Sequence, residues 1–129
     1  MTHRILVAED DPNILMSIDF LLTNAGYSVT ATADGEQAWA ALRQQPCDLL
    51  VLDVMLPGID GLELCRRVRA AGSLRAIAIL MLSARGRDSE IETGLTLGAD
   101  AYMTKPFGTQ EFLASVARLL SLRTSDSGH

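Results

Sequence analysis

The sequence predicts an α/β fold: five parallel strands in one sheet, doubly wound by helices on both faces, within a single domain. Three observations carry that prediction. Short apolar runs recur along the chain, each followed by an amphipathic segment at helical spacing, and the alternation repeats five times. The runs Ile5-Leu6-Val7-Ala8, Leu49-Leu50-Val51-Leu52 and Ile77-Ala78-Ile79-Leu80-Met81-Leu82 are apolar at consecutive positions, the pattern of strands covered on both faces. Four of the five runs stop at polar residues: Glu9-Asp10-Asp11, Asp53, Ser83 and Thr104-Lys105. Strand ends of this kind are where open parallel sheets bind their ligands.

The elements follow in order. Strand one, Ile5–Ala8, leads to Asp11-Pro12, an N-cap and first-turn proline, and then to Ile14, Leu15, Ile18, Leu21 and Leu22 at helical spacing, ending at Ala25-Gly26. Tyr27–Thr32 alternates and is β-branched, as an edge strand would be. Asp34-Gly35 opens a helix with Ala38, Trp39 and Leu42 on its apolar face, closed by Pro46. The third strand ends abruptly at Asp53, before the Pro57-Gly58 turn. A helix over about 60–71 buries Leu62, Leu64, Cys65 and Val68 and sets Arg66, Arg67 and Arg69 on the solvated side. The fourth strand, Ala76–Leu82, closes on Ser83-Ala84. Ile91, Leu95 and Leu97 mark the fourth helix, Ala99–Met103 the fifth strand, and Thr109–Leu122 a last helix with Phe112, Leu113, Val116, Leu119 and Leu120 inward. The domain is expected over residues 1–122, with 123–129 a polar, mobile tail.

Composition excludes several classes. With 129 residues, 48% hydrophobic and 21% charged, the chain can fill one core without metals or disulfides and lies outside the disordered range. A net charge of −5 argues against direct nucleic-acid binding, which rests on phosphate neutralisation. Cys47 and Cys65 lack metal or redox spacing and read as reduced thiols. No apolar stretch is long enough for a membrane span and no secretory signal precedes the first strand, so a cytoplasmic location and no membrane contact are expected.

Among doubly wound orders, the flavodoxin-like 2-1-3-4-5 is the one built from five strands, and it sets strands one and three side by side. Glu9, Asp10 and Asp53 then converge, flanked by Ser83 and Lys105. An Asp at a strand end, taken alone, reads as a cap for the next loop. Three carboxylates together demand a cation, and hard oxygen donors with solvent access suit Mg²⁺, with Asp10 and Asp53 as direct ligands and Glu9 acting through water. Lys105 adds a fixed cation and Ser83 a hydroxyl. A carboxylate can attack phosphorus to form an acyl phosphate, and Asp53 alone ends a central strand by itself, so the set points to phosphoryl transfer.

At these residues the chain resembles the receiver domain of two-component response regulators, from about Arg4 to Leu122. The matching blocks are Ile5–Asp11, Leu52–Gly61, Met81–Ala84 and Thr104–Phe107. The resemblance implies that Asp53 accepts a phosphoryl group from a sensor histidine kinase or phosphotransfer protein, that Glu9, Asp10 and the Met55 backbone carbonyl serve the metal, and that Lys105 bridges to the phosphate. It further implies a switch in which the Ser83 hydroxyl moves to the phosphate and the Tyr102 ring follows inward, and a cis bond before Pro106. Such a domain is a signalling switch that assists its own phosphorylation and dephosphorylation, not a conventional enzyme. A Mg²⁺-dependent phosphatase with an Asp nucleophile shares the chemistry, but typically has a second acid where this chain has Met55.

The likeness is strongest to receivers joined to winged-helix DNA-binding domains, which dimerise through the fourth helix, fifth strand and fifth helix. Here Ile91, Ala101 and Ser115 replace the usual charged residues, although Glu111 remains, so a weaker, more apolar or differently arranged homodimer is expected. Bulky Met55 and Arg85 stand where the family gates water, which implies slow phosphate loss. A stand-alone receiver, relaying phosphate or binding partners without an output domain, is the alternative reading. The tail 123–129 resembles the start of a linker.

Overall fold

A computed structural model of the protein describes residues 2–72, 74, 76–84 and 88–127, the side chains of 88–91 and 123–127 excepted. Its strands are β1 (Arg4–Ala8), β2 (Ser28–Thr32), β3 (Leu49–Asp53), β4 (Ala78–Ala84) and β5 (Ala101–Lys105). The helices are α1 (Pro12–Asn24), α2 (Gly35–Gln44), α3 (Gly61–Ala70), α4 (Asp88–Leu97) and α5 (Thr109–Ser127). All pairings are parallel and the order is β2-β1-β3-β4-β5, as predicted.

Alternate residues of each central strand feed two cores. Leu6, Leu50, Leu52, Ile79 and Met81 pack with Leu42 of α2 and Leu64, Cys65 and Val68 of α3. Ile5, Val7, Leu49, Val51, Leu80 and Leu82 pack with Ile18 and Leu22 of α1 and Phe112, Val116 and Leu119 of α5 on the other face. Each such buried side chain contributes roughly 1.5–3 kcal/mol. Because β3 is buried along its whole length, its terminal carboxylate has a rigid base.

Helices α1, α2 and α3 each begin at an aspartate whose side chain accepts backbone N–H groups: Asp11 from Asn13 and Ile14, Asp34 from Gln37, Asp60 from Glu63. Both cysteines are buried and neither is in a disulfide. No helix among the described residues is long and apolar enough to cross a membrane.

Several boundaries depart from expectation. β5 starts at Ala101 and includes Lys105, because Asp100 spends its backbone N–H on Ile79 O and its carboxylate on Ile79 N and Arg69 before the ladder begins. β4 likewise begins at Ala78, two residues later than predicted. Helix α5 continues through Ser127 where a polar tail was expected from residue 123; no Gly or Pro interrupts 123–127. Arg69 also departs from its predicted solvated position. Its guanidinium turns back to Ile77 O (2.5 Å), Gly98 O (2.8 Å) and Asp100 Oδ2 (2.7 Å), with its stem across Gly98, where a Cβ would collide with it.

Candidate functional site

The pairing of β1 with β3 places the chain just after Ala8 beside the end of β3. One carboxylate oxygen each from Glu9, Asp10 and Asp53 lie within 4.8 Å of one another. Glu9 and Asp53 are buried, at 0% and 2% exposure, while Asp10 is exposed to solvent. From the end of β5, the Lys105 Nζ donates to Glu9 Oε1 and Asp53 Oδ2, both at 3.1 Å. Asp53 Oδ1 accepts from the Met55 backbone N–H at 3.2 Å, and Glu9 Oε2 from that of Asp11 at 3.0 Å. One ammonium thus serves two buried carboxylates, and a third stands open beside them.

The electrostatics follow from that imbalance. Burial pushes the Glu9 carboxyl up to about 7, and the neighbouring Asp53 adds to the rise, against the opposing pull of the Asp11 N–H and Lys105. Burial also works against the charged form of Lys105, but its bonds to Asp53 and Glu9 outweigh this and its pKa is raised. A cluster of three carboxylates within 4.8 Å, with an accessible ligand in Asp10, fits a hard divalent cation such as Mg²⁺.

Ser83, at the end of β4, is buried and its Oγ donates to Ala84 O at 3.3 Å. Tyr102 is 47% exposed and on β5 pairs with Met81, one strand from Ser83. Tyr102 is therefore not gathered into the carboxylate cluster in this conformation. The Met55 side chain is 51% exposed and, with Asp10, Leu56 and Asp60, lines an open cavity of about 380 Å³ beside the cluster. The Lys105–Pro106 peptide is cis, and Phe107 stacks on Phe112 with ring centroids 5.0 Å apart. Arg85 lies outside the described residues, as does the Ile91 side chain.

Two glycines shape the site and received no role from the sequence. A Cβ on Gly61 would collide with the Asp53 carbonyl, and Gly61 N donates to Val54 O at 2.9 Å, so α3 begins directly against the end of β3. A Cβ on Gly35 would collide with Ile59 O, while Gly35 N bonds Pro57 O at 3.0 Å. Gly61 closes the Leu52–Gly61 block in the sequence, but which backbone approaches a glycine emerges only in three dimensions.

The family model described as the response regulator receiver domain matches residues 5–117. The chain belongs to that family. It is similar to the phosphate regulon transcriptional regulatory protein PhoB of Rhizobium meliloti, 41% identical over 93% of this chain and 53% of that protein. The response regulator MprA of Mycolicibacterium vanbaalenii is 43% identical over 99% of this chain and 54% of its own length. The chain spans about half the length of the curated relatives it matches. Among solved structures, a response regulator from Chloroflexus aurantiacus superposes with a TM-score of 0.90 at 38% identity, over 94% of this chain and 99% of that one. The receiver is thus a two-component signalling switch; such domains bind Mg²⁺ at an acidic pocket and interact with histidine kinases or phosphotransfer proteins.

Proposed function

We propose that Asp53 is the residue that carries the phosphoryl group. The observation that supports this most is its place: a carboxylate fixed at the end of the fully buried β3, bonded to the Lys105 ammonium, with exposed Asp10 opening the site to solvent. An Asp53 oxygen attacks the phosphorus of a phosphohistidine, forming the acyl-phosphate P–O bond as the P–N bond breaks and the imidazole leaves with the electron pair. Lys105 transfers one of its hydrogen bonds from Asp53 to a phosphoryl oxygen, and the Ser83 hydroxyl turns from Ala84 O to another. Asp10, Asp53 and the Met55 carbonyl would hold Mg²⁺, with Glu9 beside them, and the ion would supply positive charge to the phosphoryl oxygens. Movement of Ser83 vacates space that the exposed Tyr102 ring enters, which alters the face formed by α4, β5 and α5.

Asp53→Asn is expected to abolish phosphate incorporation from phosphoramidate with Mg²⁺, read by intact-protein mass spectrometry. An equal mass increase on the variant would remove Asp53 from this role.

The relatives named as transcriptional regulators extend well beyond the matched region, which supports an output domain following α5 in the whole protein. The altered face displays Leu95, Tyr102 and Leu122, all substantially exposed, and lacks charge at Ala101 and Ser115. The homodimer of the phosphorylated form is therefore weak and apolar. Sedimentation with and without beryllofluoride should show an association insensitive to salt between 50 mM and 500 mM, on the order of the range in which ion pairs are screened; a tight, salt-sensitive dimer would contradict this.

A further inference from the structure

The junction between β2 and α2, residues 32–36, supplies no carboxylate to the cluster, yet it is bonded to both loops that flank it. The Glu9 backbone N–H donates to Thr32 O at 3.1 Å, which holds the first residue beyond β1 to the end of β2. Thr32 is buried, and its Oγ1 donates to Val7 O at 2.8 Å. Further along, the Gly35 N–H donates to Pro57 O at 3.0 Å, in the loop between β3 and α3. A Cβ on Gly35 would collide with Ile59 O, and one on Gly58 would lie 3.4 Å from Glu36 Cγ. The first turn of α2 therefore meets the loop 57–59 backbone to backbone, an approach that glycine at 35 permits. The junction is also stiffened from within: Asp34 Oδ1 accepts the Gln37 N–H at 2.7 Å, and Gln37 Oε1 accepts the Ala33 N–H at 3.2 Å.

We infer that this junction braces the two loops against each other and that Gly35 is a positioning residue for Mg²⁺ affinity. The inference rests on the metal reading proposed above. Asp53 rides on β3 and is fixed by the sheet. Asp10 and Met55 lie beyond strand ends, so the ladders do not fix them. The loop after β3 is tied near its ends, by the Val54 N–H to Leu82 O and the Gly61 N–H to Val54 O. Its middle is tied to Gly35. The loop after β1 is tied to Thr32, three positions earlier on the same junction. Mg²⁺ demands near-octahedral oxygen ligands at about 2.1 Å, so a relative shift of the two loops weakens it even when every ligand is retained. Groups that orient metal ligands without touching the ion typically contribute about ten- to a hundredfold in affinity.

The test is Mg²⁺ affinity itself, measured by isothermal titration calorimetry without any phosphodonor on wild type, Gly35→Ala, Gly58→Asn and Ala38→Gly. Gly35→Ala should weaken Mg²⁺ binding about tenfold or more. Gly58→Asn keeps a residue tolerant of the φ of 78° but sets a side chain against Glu36, and should weaken binding about threefold. It carries the test should Gly35→Ala lose its far-UV circular dichroism. Ala38 is buried on α2, and Ala38→Gly loosens the helix without pressing a new group on the loop. That control should lower the melting temperature in EDTA yet leave the Mg²⁺ affinity within about twofold of wild type. Wild-type affinity in folded Gly35→Ala, or in Gly58→Asn, would overturn the brace. An equal loss of affinity in Ala38→Gly would overturn it too, because general destabilisation of α2 would then account for the effect. Absence of Mg²⁺ binding in wild type would remove the metal reading along with the brace.

Discussion

The two edges of the sheet both carry clusters of charge, and they differ in how that charge is matched. At the amino-terminal edge Arg69 places its guanidinium on Asp100, Ile77 O and Gly98 O, and Asp100 takes the Ile79 N–H as well. Nearby, Asp48 accepts the Arg4 backbone N–H at 2.8 Å. Cation and anion are paired and the remaining acceptors are backbone. At the carboxyl-terminal edge, among the described residues, three carboxylates cluster and a single lysine bonds two of them. Polar groups that are fully paired hold a fold together; those left with an excess of one sign are poised to take up a ligand of the other. The difference separates a structural clamp from a working site without reference to any relative.

Breaking the clamp should therefore have the largest effect on stability and little on chemistry. Arg69→Ala leaves the solvent-exposed Asp100 carboxylate and two carbonyls short of a charged donor and should cost about 2–3 kcal/mol, measured by urea unfolding. The rate of phosphate uptake from phosphoramidate should stay near wild type under native conditions. A stable variant with impaired phosphorylation would erase the proposed division between the edges.

The working edge should respond to pH. Folded Glu9 holds its proton up to about pH 7, whereas in the unfolded chain it ionises near 4.5. The folded form binds the extra proton between these values, so the stability Glu9 contributes is complete below about pH 4.5 and is lost as pH rises through 7. The loss should be on the order of 2 kcal/mol in EDTA and much smaller in saturating Mg²⁺, whose charge favours the carboxylate. Glu63, held near 2 by its hydrogen bonds to Arg66 and Arg67, acts in the opposite sense and only below pH 4.5. Thermal unfolding at pH 5 and pH 8, with and without Mg²⁺, measures the effect; equal stability at both pH values in EDTA would mean that Glu9 is not held protonated.

The same asymmetry explains what could be read in the sequence. Glu9, Asp10, Asp53, Ser83 and Lys105 were legible because each terminates an apolar run, and strand order alone then brings them to one edge. Asp11 and Asp34 were placed by local rules of helix initiation, which act within three or four residues. The clamp was not legible. Arg69 looks like one more solvated arginine beside Arg66 and Arg67, because its partners lie 8, 29 and 31 residues later and two of its acceptors are backbone carbonyls with no sequence signature. The roles of Gly35 and Gly61 were hidden for the same reason. The start of β5 depended on Asp100, a partner of Arg69, and so shared its obscurity.

The smallest predicted effect is the sharpest for the comparison, because its sign reverses. Removing a charge from a paired cluster destabilises, but removing one from a cluster with excess anions relieves repulsion. Asp10 is exposed, so solvent screens much of that repulsion, and Asp10→Asn should raise the melting temperature of the metal-free protein by about 3 °C or less. In Mg²⁺ the order should invert if Asp10 holds the ion as proposed, since the wild type then gains stability in proportion to the logarithm of ion concentration over its dissociation constant and the variant gains less. At the other edge Asp100→Asn should lower the melting temperature in EDTA and in Mg²⁺ alike. A metal-free Asp10→Asn protein less stable than wild type would show that the carboxylates are balanced after all, and that Lys105 alone neutralises them.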